Sequence, residues 1–227
     1  MRRVVEPEWL DALDAADPRA QRCRRDLRLV NFLMGSAGAV ARPLARALRD
    51  GAKMADLGTG DGTFMLRVAR KLRPRPLRVE LALVDRADAV GGETIARFRD
   101  LQWHATTRAA EVTDWLTRER GDFDAITTNL FLHHFGQSEL QRLLSLISAR
   151  ARVFIACEPR RSYLASAASR ALGLAGCGPD SRHDARVSVA AGFRDDELSR
   201  AWPAGRTWST KEVPIGLFSH LFIASRP

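Results

Sequence analysis

The densest chemical signal in the chain is Asp56-Leu57-Gly58-Thr59-Gly60-Asp61-Gly62-Thr63. A short apolar segment ends in a carboxylate, three glycines follow at alternate positions, and a helical pattern starts at once. Glycine has no Cβ, so such a turn lets a bulky ligand reach the backbone. The unpaired N–H groups of the helix start then face that ligand. The arrangement points to a nucleotide-like cofactor held between a strand and a helix.

Two cofactor classes compete. A dinucleotide site wants G-x-G-x-x-G, with a pyrophosphate on the helix N-terminus. Here Thr63 stands where the third glycine would be, and Asp56 would repel phosphates. S-adenosylmethionine carries no phosphate. Its ammonium and sulfonium suit a carboxylate at the end of the first strand. The segment resembles the first motif, D-x-G-x-G-x-G, of the class I S-adenosylmethionine-dependent methyltransferases and matches every fixed position. The resemblance spans roughly residues 25 to 225.

That resemblance implies roles. Asp56, Gly58, Thr59, Gly60 and Gly62 would cradle the cofactor. Asp85, followed by Arg86, would hydrogen-bond both ribose hydroxyls. Ala110-Glu111-Val112-Thr113-Asp114-Trp115-Leu116 is similar to the family form Ala-Asp-Val-x-Asp-Trp-Leu. Glu111 would then accept from the adenine amine and the Val112 N–H would donate to the ring, with Asp114 as the rival acid. Asn129 and Leu130 would line the methionine side. Methyltransferases of nucleobase amines carry Asn-Pro-Pro-aromatic at this point. This chain has Asn129-Leu130-Phe131-Leu132-His133-His134-Phe135, which instead resembles the small-molecule enzymes of the menaquinone/ubiquinone-biosynthesis type.

The acceptor decides whether a base is needed. Ionising a phenol of pKa about 10 at pH 7 costs about 4 kcal/mol, and a placed histidine can take that proton during transfer. His133 and His134 lead as catalytic candidates, with one expected to serve because neighbours point apart. His183, beside Asp184 in an expected loop, is a further one; His220 reads as structural. Glu158-Pro159-Arg160-Arg161 opens the loop where relatives meet substrate, and Arg160 there can grip an anionic acceptor in a bidentate manner. Phe32 and Met34, with Leu29, Leu33, Val40 and Leu44, offer an apolar lining or simply pack a lid. The expected activity is O-methylation of an aromatic or polyketide-derived small molecule (a phenol or quinol). Carbon methylation of a quinone precursor, or cofactor binding without turnover, are the alternatives. No metal is expected.

Composition sets the frame. The 227 residues, 45% hydrophobic, suit one α/β domain with a small addition. No apolar run reaches the length of a membrane span, and Met1-Arg2-Arg3-Val4-Val5-Glu6-Pro7 lacks a signal-peptide core. Cys23, Cys157 and Cys177 are odd in number and lack metal-ligand spacing, so a reducing cytoplasmic setting is expected. The net charge of +9 comes almost wholly from arginines spread along the chain. That reads as a solvated surface rather than a nucleic-acid footprint. The spacing does not fix the oligomeric state.

The elements that must position these residues alternate. Helical stretches at Asp17 to Met34 and about Arg42 to Leu48, the latter closed by Gly51, form an expected lid over residues 1–50. The methyltransferase domain proper follows at 51–227. Strands are expected at Lys53 to Leu57, Arg78 to Val84, between Trp103 and Ala110, at Phe123 to Thr128 and at Arg152 to Cys157. Arg206 to Val213 and Leu217 to Ala224 form a closing antiparallel pair. Met65, Val68, Ala69 and Leu72 mark the apolar face of the first crossover helix, which Pro74 and Pro76 end. Further helices are read at Gly92 to Leu101, behind a Ser138…Gln141 capping box, at Ser162 to Leu172 and at Asp195 to Ala201. The fold is therefore α/β and Rossmann-like: a seven-stranded, mostly parallel sheet with helices on both faces, an antiparallel C-terminal strand and an N-terminal helical lid. Asp56, Asp85, Asn129 and Glu158 all fall at expected strand ends, where such sheets bind ligands.

Overall fold

Strands buried on both faces read as continuous apolar runs, and helices cover them where the apolar period switches to 3.6. The computed structural model, which describes residues 1–13, 17–74, 77–203 and 208–226, arranges the chain that way. In order come α1 (Pro18–Leu33), α2 (Ser36–Ala47), β1 (Ala52–Leu57), α3 (Thr63–Leu72), β2 (Val79–Asp85), α4 (Gly92–Arg99) and β3 (Trp103–Ala109). Then follow α5 (Val112–Arg118), β4 (Phe123–Asn129), α6 (Gln137–Arg150), β5 (Ala151–Pro159), α7 (Tyr163–Ala171), α8 (Pro179–Ala191), α9 (Glu197–Ala201), β6 (Ser209–Ile215) and β7 (Ser219–Ser225). The seven strands run β3-β2-β1-β4-β5-β7-β6, and β7 alone is antiparallel to its neighbours. β1 lies between β2 and β4, so the order reverses beside the glycine turn, where a crevice opens.

Two apolar layers fix the sheet. Val40, Leu44, Met65, Val68, Leu72 and Phe98 pack one face; Leu116, Leu140, Leu143, Ile147, Leu198 and Phe222 pack the other. The expected face of α3 is wholly buried. No helix among the described residues is long and apolar enough to cross a membrane. All three cysteines are buried and free.

The structure corrects several boundaries. α2 starts one and a half turns before the expected Arg42, because left-handed Gly35 (φ 65°) makes the break and Gly38 sits inside the helix. Gly51 (φ 78°) turns the chain after Leu48 and does not cap α2. Val40 and Leu44 belong to the core, so α2 is a core helix rather than part of a lid. The polar stretch expected as a loop is α8, opened by Gly178 and Pro179. Only Val187 and Ala191 are buried apolar residues there, a stripe too thin to show in the sequence. α6 is capped at Gly136, whose N–H donates to Glu139 at 3.1 Å, so Ser138 lies inside the helix and is no cap. α9 begins at Glu197, two residues late. Pro76 and Arg206 lie outside the described residues.

Candidate active site

Gly58, Gly60 and Gly62 all adopt positive φ (68°, 57° and 73°), a region L side chains enter only under strain. The requirement differs between them. A Cβ on Gly58 would stand 2.2 Å from the Phe131 ring. A Cβ on Gly60 would project into open space, the cradle a ligand needs. Gly62 turns the chain into α3 against Val90 and Thr94 and does not line the cavity. Asp61 closes the turn: its Oδ1 accepts from the Thr63 N–H (3.0 Å) and hydroxyl (2.5 Å), while Arg28 of α1 donates to Oδ2 at 3.0 Å.

Around this loop runs a cavity of 780 Å³. It is lined by Asp56, Gly58, Thr59, Gly60, Asp85, Arg86, Glu111, Val112, Asn129 and Leu130, which brings together ten of the expected cofactor residues. Asp85 receives the Gly60 N–H (2.8 Å) and the Ala87 N–H (2.9 Å), so it holds the loop open from β2. Glu111 caps α5 through the Thr113 N–H at 3.4 Å; its rival Asp114 is off the cavity. Leu130 sits at φ 51°, held there by its N–H on the Cys157 carbonyl (2.9 Å). Such a residue costs about 1–2 kcal/mol, a strain typical of functional turns.

Asp56 is 2% exposed and accepts from the Thr127 (2.7 Å) and Thr59 (2.8 Å) hydroxyls. Burial outweighs both bonds and pushes the carboxyl up to about 6. Its ionised form is unfavourable in the fold, so stability falls as pH rises from the unfolded value toward 6. A cationic ligand reverses the preference. Affinity for S-adenosylmethionine is expected to be flat above pH 7 and to fall about tenfold per unit below 6. Calorimetry across pH 4.5–8 checks this, and Asp56→Asn should remove the slope.

The histidine turn departs from expectation. His133 and His134 both reach the cavity, in a 3-10 turn after β4, with ring centroids 4.2 Å apart. Yet His133 is 2% exposed, with Nδ1 2.9 Å from Glu158 and Nε2 3.2 Å from Glu8. Burial opposes its charge, but the bonds to Glu158 and Glu8 prevail and push the ring up to about 9. At neutral pH His133 is a clamped imidazolium with no lone pair to offer as a base. Glu158, fully buried, also accepts the Phe131 (3.1 Å) and Leu132 (3.0 Å) N–H groups, so one carboxylate shapes the whole turn.

His183 does not reach the cavity. It stands on α8, stacked on Trp9 at 3.9 Å, with Nδ1 3.2 Å from Asp184. Arg160 is turned away at the sheet edge, where its N–H bonds the Phe218 carbonyl (2.7 Å). Met34 is half-buried and off the cavity; the Phe32 side chain lies outside the described residues. His220 is buried against Glu212 at 2.5 Å.

The wall that sequence reasoning missed is segment 1–13. Val5, Glu6, Pro7, Glu8, Leu10 and Leu13 face the glycine loop, with Arg24, Leu27 and Arg28 of α1 beside them. Nothing local signals this, since Glu8 meets His133 across 125 residues. Glu8, His133 and His134 place ligand atoms within 4.8 Å of one another, close enough to suggest a cation. Both His133 nitrogens are already committed to carboxylates, however. Arg3, Arg161 and His133 also balance Glu8, Glu158 and Glu197 charge for charge, so the donor set does not call for an ion.

Residues 54–153 match the family model of a methyltransferase domain. Among curated proteins none matches the sequence. Solved structures share the fold. The plantazolicin methyltransferase BpumL in complex with SAH is 12% identical, with a TM-score of 0.66 over 93% of this chain and 92% of that one. The magnesium protoporphyrin IX methyltransferase (ChlM) from Synechocystis PCC 6803, with bound SAM, is 14% identical with a TM-score of 0.55 over 90% and 84%. An O-methyltransferase family protein from Burkholderia thailandensis is 18% identical with a TM-score of 0.61 over 93% and 61%.

Proposed function

We propose that this chain, a class I S-adenosylmethionine-dependent methyltransferase, methylates a hydroxyl oxygen of an aromatic or polyketide-derived small molecule, a phenol or quinol. One observation carries the reading: past the glycine loop the cavity is walled by Pro7, Leu10, Leu13, Leu27, Phe131 and Phe135, with the His134 imidazole among them. Apolar and aromatic walls suit a flat ring, and an imidazole beside them suits a weakly acidic hydroxyl.

The residues present fit the cofactor. Gly60 leaves a space a Cβ would fill, Asp56 suits the cationic methionine end, and Asp85 offers two oxygens to a vicinal diol. Bound there, S-adenosylmethionine supplies an electrophilic methyl group. The chain orients the acceptor, keeps water out with Phe131 and Phe135, and takes the proton. Because His133 is already protonated, His134 is the base: the hydroxyl proton passes to its ring as the oxygen–methyl bond forms and the methyl–sulfur bond breaks. The buried, unpaired cysteines support a cytoplasmic setting.

A panel of phenols and quinols with S-adenosylmethionine tests the reading. At least one should yield a methyl ether and S-adenosylhomocysteine, and His134→Gln should lower kcat by about 10²–10⁴-fold with unchanged cofactor affinity. A ring-carbon-methylated product would transfer the assignment to carbon methylation. No turnover across the panel would sink it.

A further inference from the structure

The wall over the acceptor side is one extended peptide rather than part of the sheet, and its attachment is polar. Val4 N–H donates to the Ala190 carbonyl (3.1 Å) and Arg3 Nε to the Ala191 carbonyl (2.7 Å). Arg3 Nη2 reaches the carbonyls of His133 (3.2 Å) and Phe135 (3.0 Å). Asp184 accepts the N–H groups of Trp9 (2.8 Å) and Leu10 (3.1 Å), while Glu8 bonds His133 and Ser188. Apolar burial contributes little, since Val4, Val5 and Trp9 are 44%, 37% and 46% exposed.

A segment held this way opens cheaply, because water replaces each bond and little apolar surface is uncovered. Charge favours the same event. The peptide leaves with Arg3 and Glu8, one of each sign. The body keeps His133 with Glu158 and Arg161 with Glu197, so neither side strands a lone buried charge.

We propose that residues 1–13 are the gate and the specificity-determining wall of the acceptor site. The segment swings away from α8 as a unit to admit the acceptor, and Glu8 latches it onto His133 when it closes. Val5, Pro7, Leu10 and Leu13 then select the acceptor's shape. The inference rests on the acceptor half proposed above, but its mechanics are measurable without an acceptor.

Hydrogen exchange of the full-length protein, with mass-spectrometric readout, tests the opening. Peptides covering 4–12 should exchange at least about tenfold faster than those of β4 and β5, and Glu8→Ala should speed them about tenfold again while the strands stay unchanged. Exchange of 4–12 only together with the strands, or indifference to Glu8→Ala, overturns the gate. A second arm pairs Val4→Cys with Ala190→Cys. Once oxidised, this protein should bind S-adenosylmethionine with wild-type affinity but stop methylating the best phenol of the panel, recovering on reduction. Full turnover in the cross-linked form overturns the proposal. Failure of the phenol panel alone leaves the exchange result to judge the gate.

Discussion

Gly58→Ala should abolish cofactor binding and destabilise the protein, whereas Gly60→Ala should abolish binding with little loss of stability. Both residues have positive φ, which costs an alanine about 1–2 kcal/mol. Only Gly58 adds a collision, with its Cβ 2.2 Å from Phe131 Cδ2. The ring cannot yield freely, because the Phe131 N–H is fixed on Glu158 and its edge rests on Phe135 at 5.0 Å. We therefore expect Gly58→Ala to lose about 2–4 kcal/mol in urea unfolding and Gly60→Ala about 1 kcal/mol. By calorimetry both should lose at least about 100-fold in S-adenosylmethionine affinity, near 2.8 kcal/mol. A Gly60→Ala protein that binds like wild type would mean that the loop cradles nothing.

The second large effect is expected at Glu158. This carboxylate has no solvent exposure and satisfies two backbone N–H groups and the His133 ring at once. Glu158→Ala leaves two donors unpaired and an imidazolium short of one counter-charge. Removing one partner of a buried ion pair typically costs 3–5 kcal/mol, and we expect about that in chemical denaturation. Glu158→Gln keeps an oxygen for the amides and should recover part of the loss. Stability of Glu158→Ala within about 1 kcal/mol of wild type would show that the turn is held elsewhere.

The cofactor half of the site was legible because its chemistry is local. Asp56 to Gly62 is one uninterrupted motif, and the other contributors, Asp85, Glu111 and Asn129, each follow a strand with an apolar signature. A parallel sheet aligns those strand ends without further instruction. The acceptor half depends on contacts remote in sequence. Asp184 holds Trp9 across 175 residues, and Arg3 reaches Phe135 across 132. No periodicity encodes such meetings. The same distance explains His133: its type invited a catalytic role, and only the fold reveals two carboxylates closing on it. α8 escaped notice because the solvent side dominates its composition, and Leu130 because leucine gives no hint of a left-handed backbone.

The two halves of the cavity are built on different plans. The floor is pooled from several strand termini, each anchored in the core, so a change in any of them disturbs the fold. The opposing face is a single short peptide whose side chains Val5, Pro7, Leu10 and Leu13 bear little of the protein's weight. Selectivity for a new compound can therefore be rewritten there by grafting, as a locksmith changes the wards without recasting the bolt.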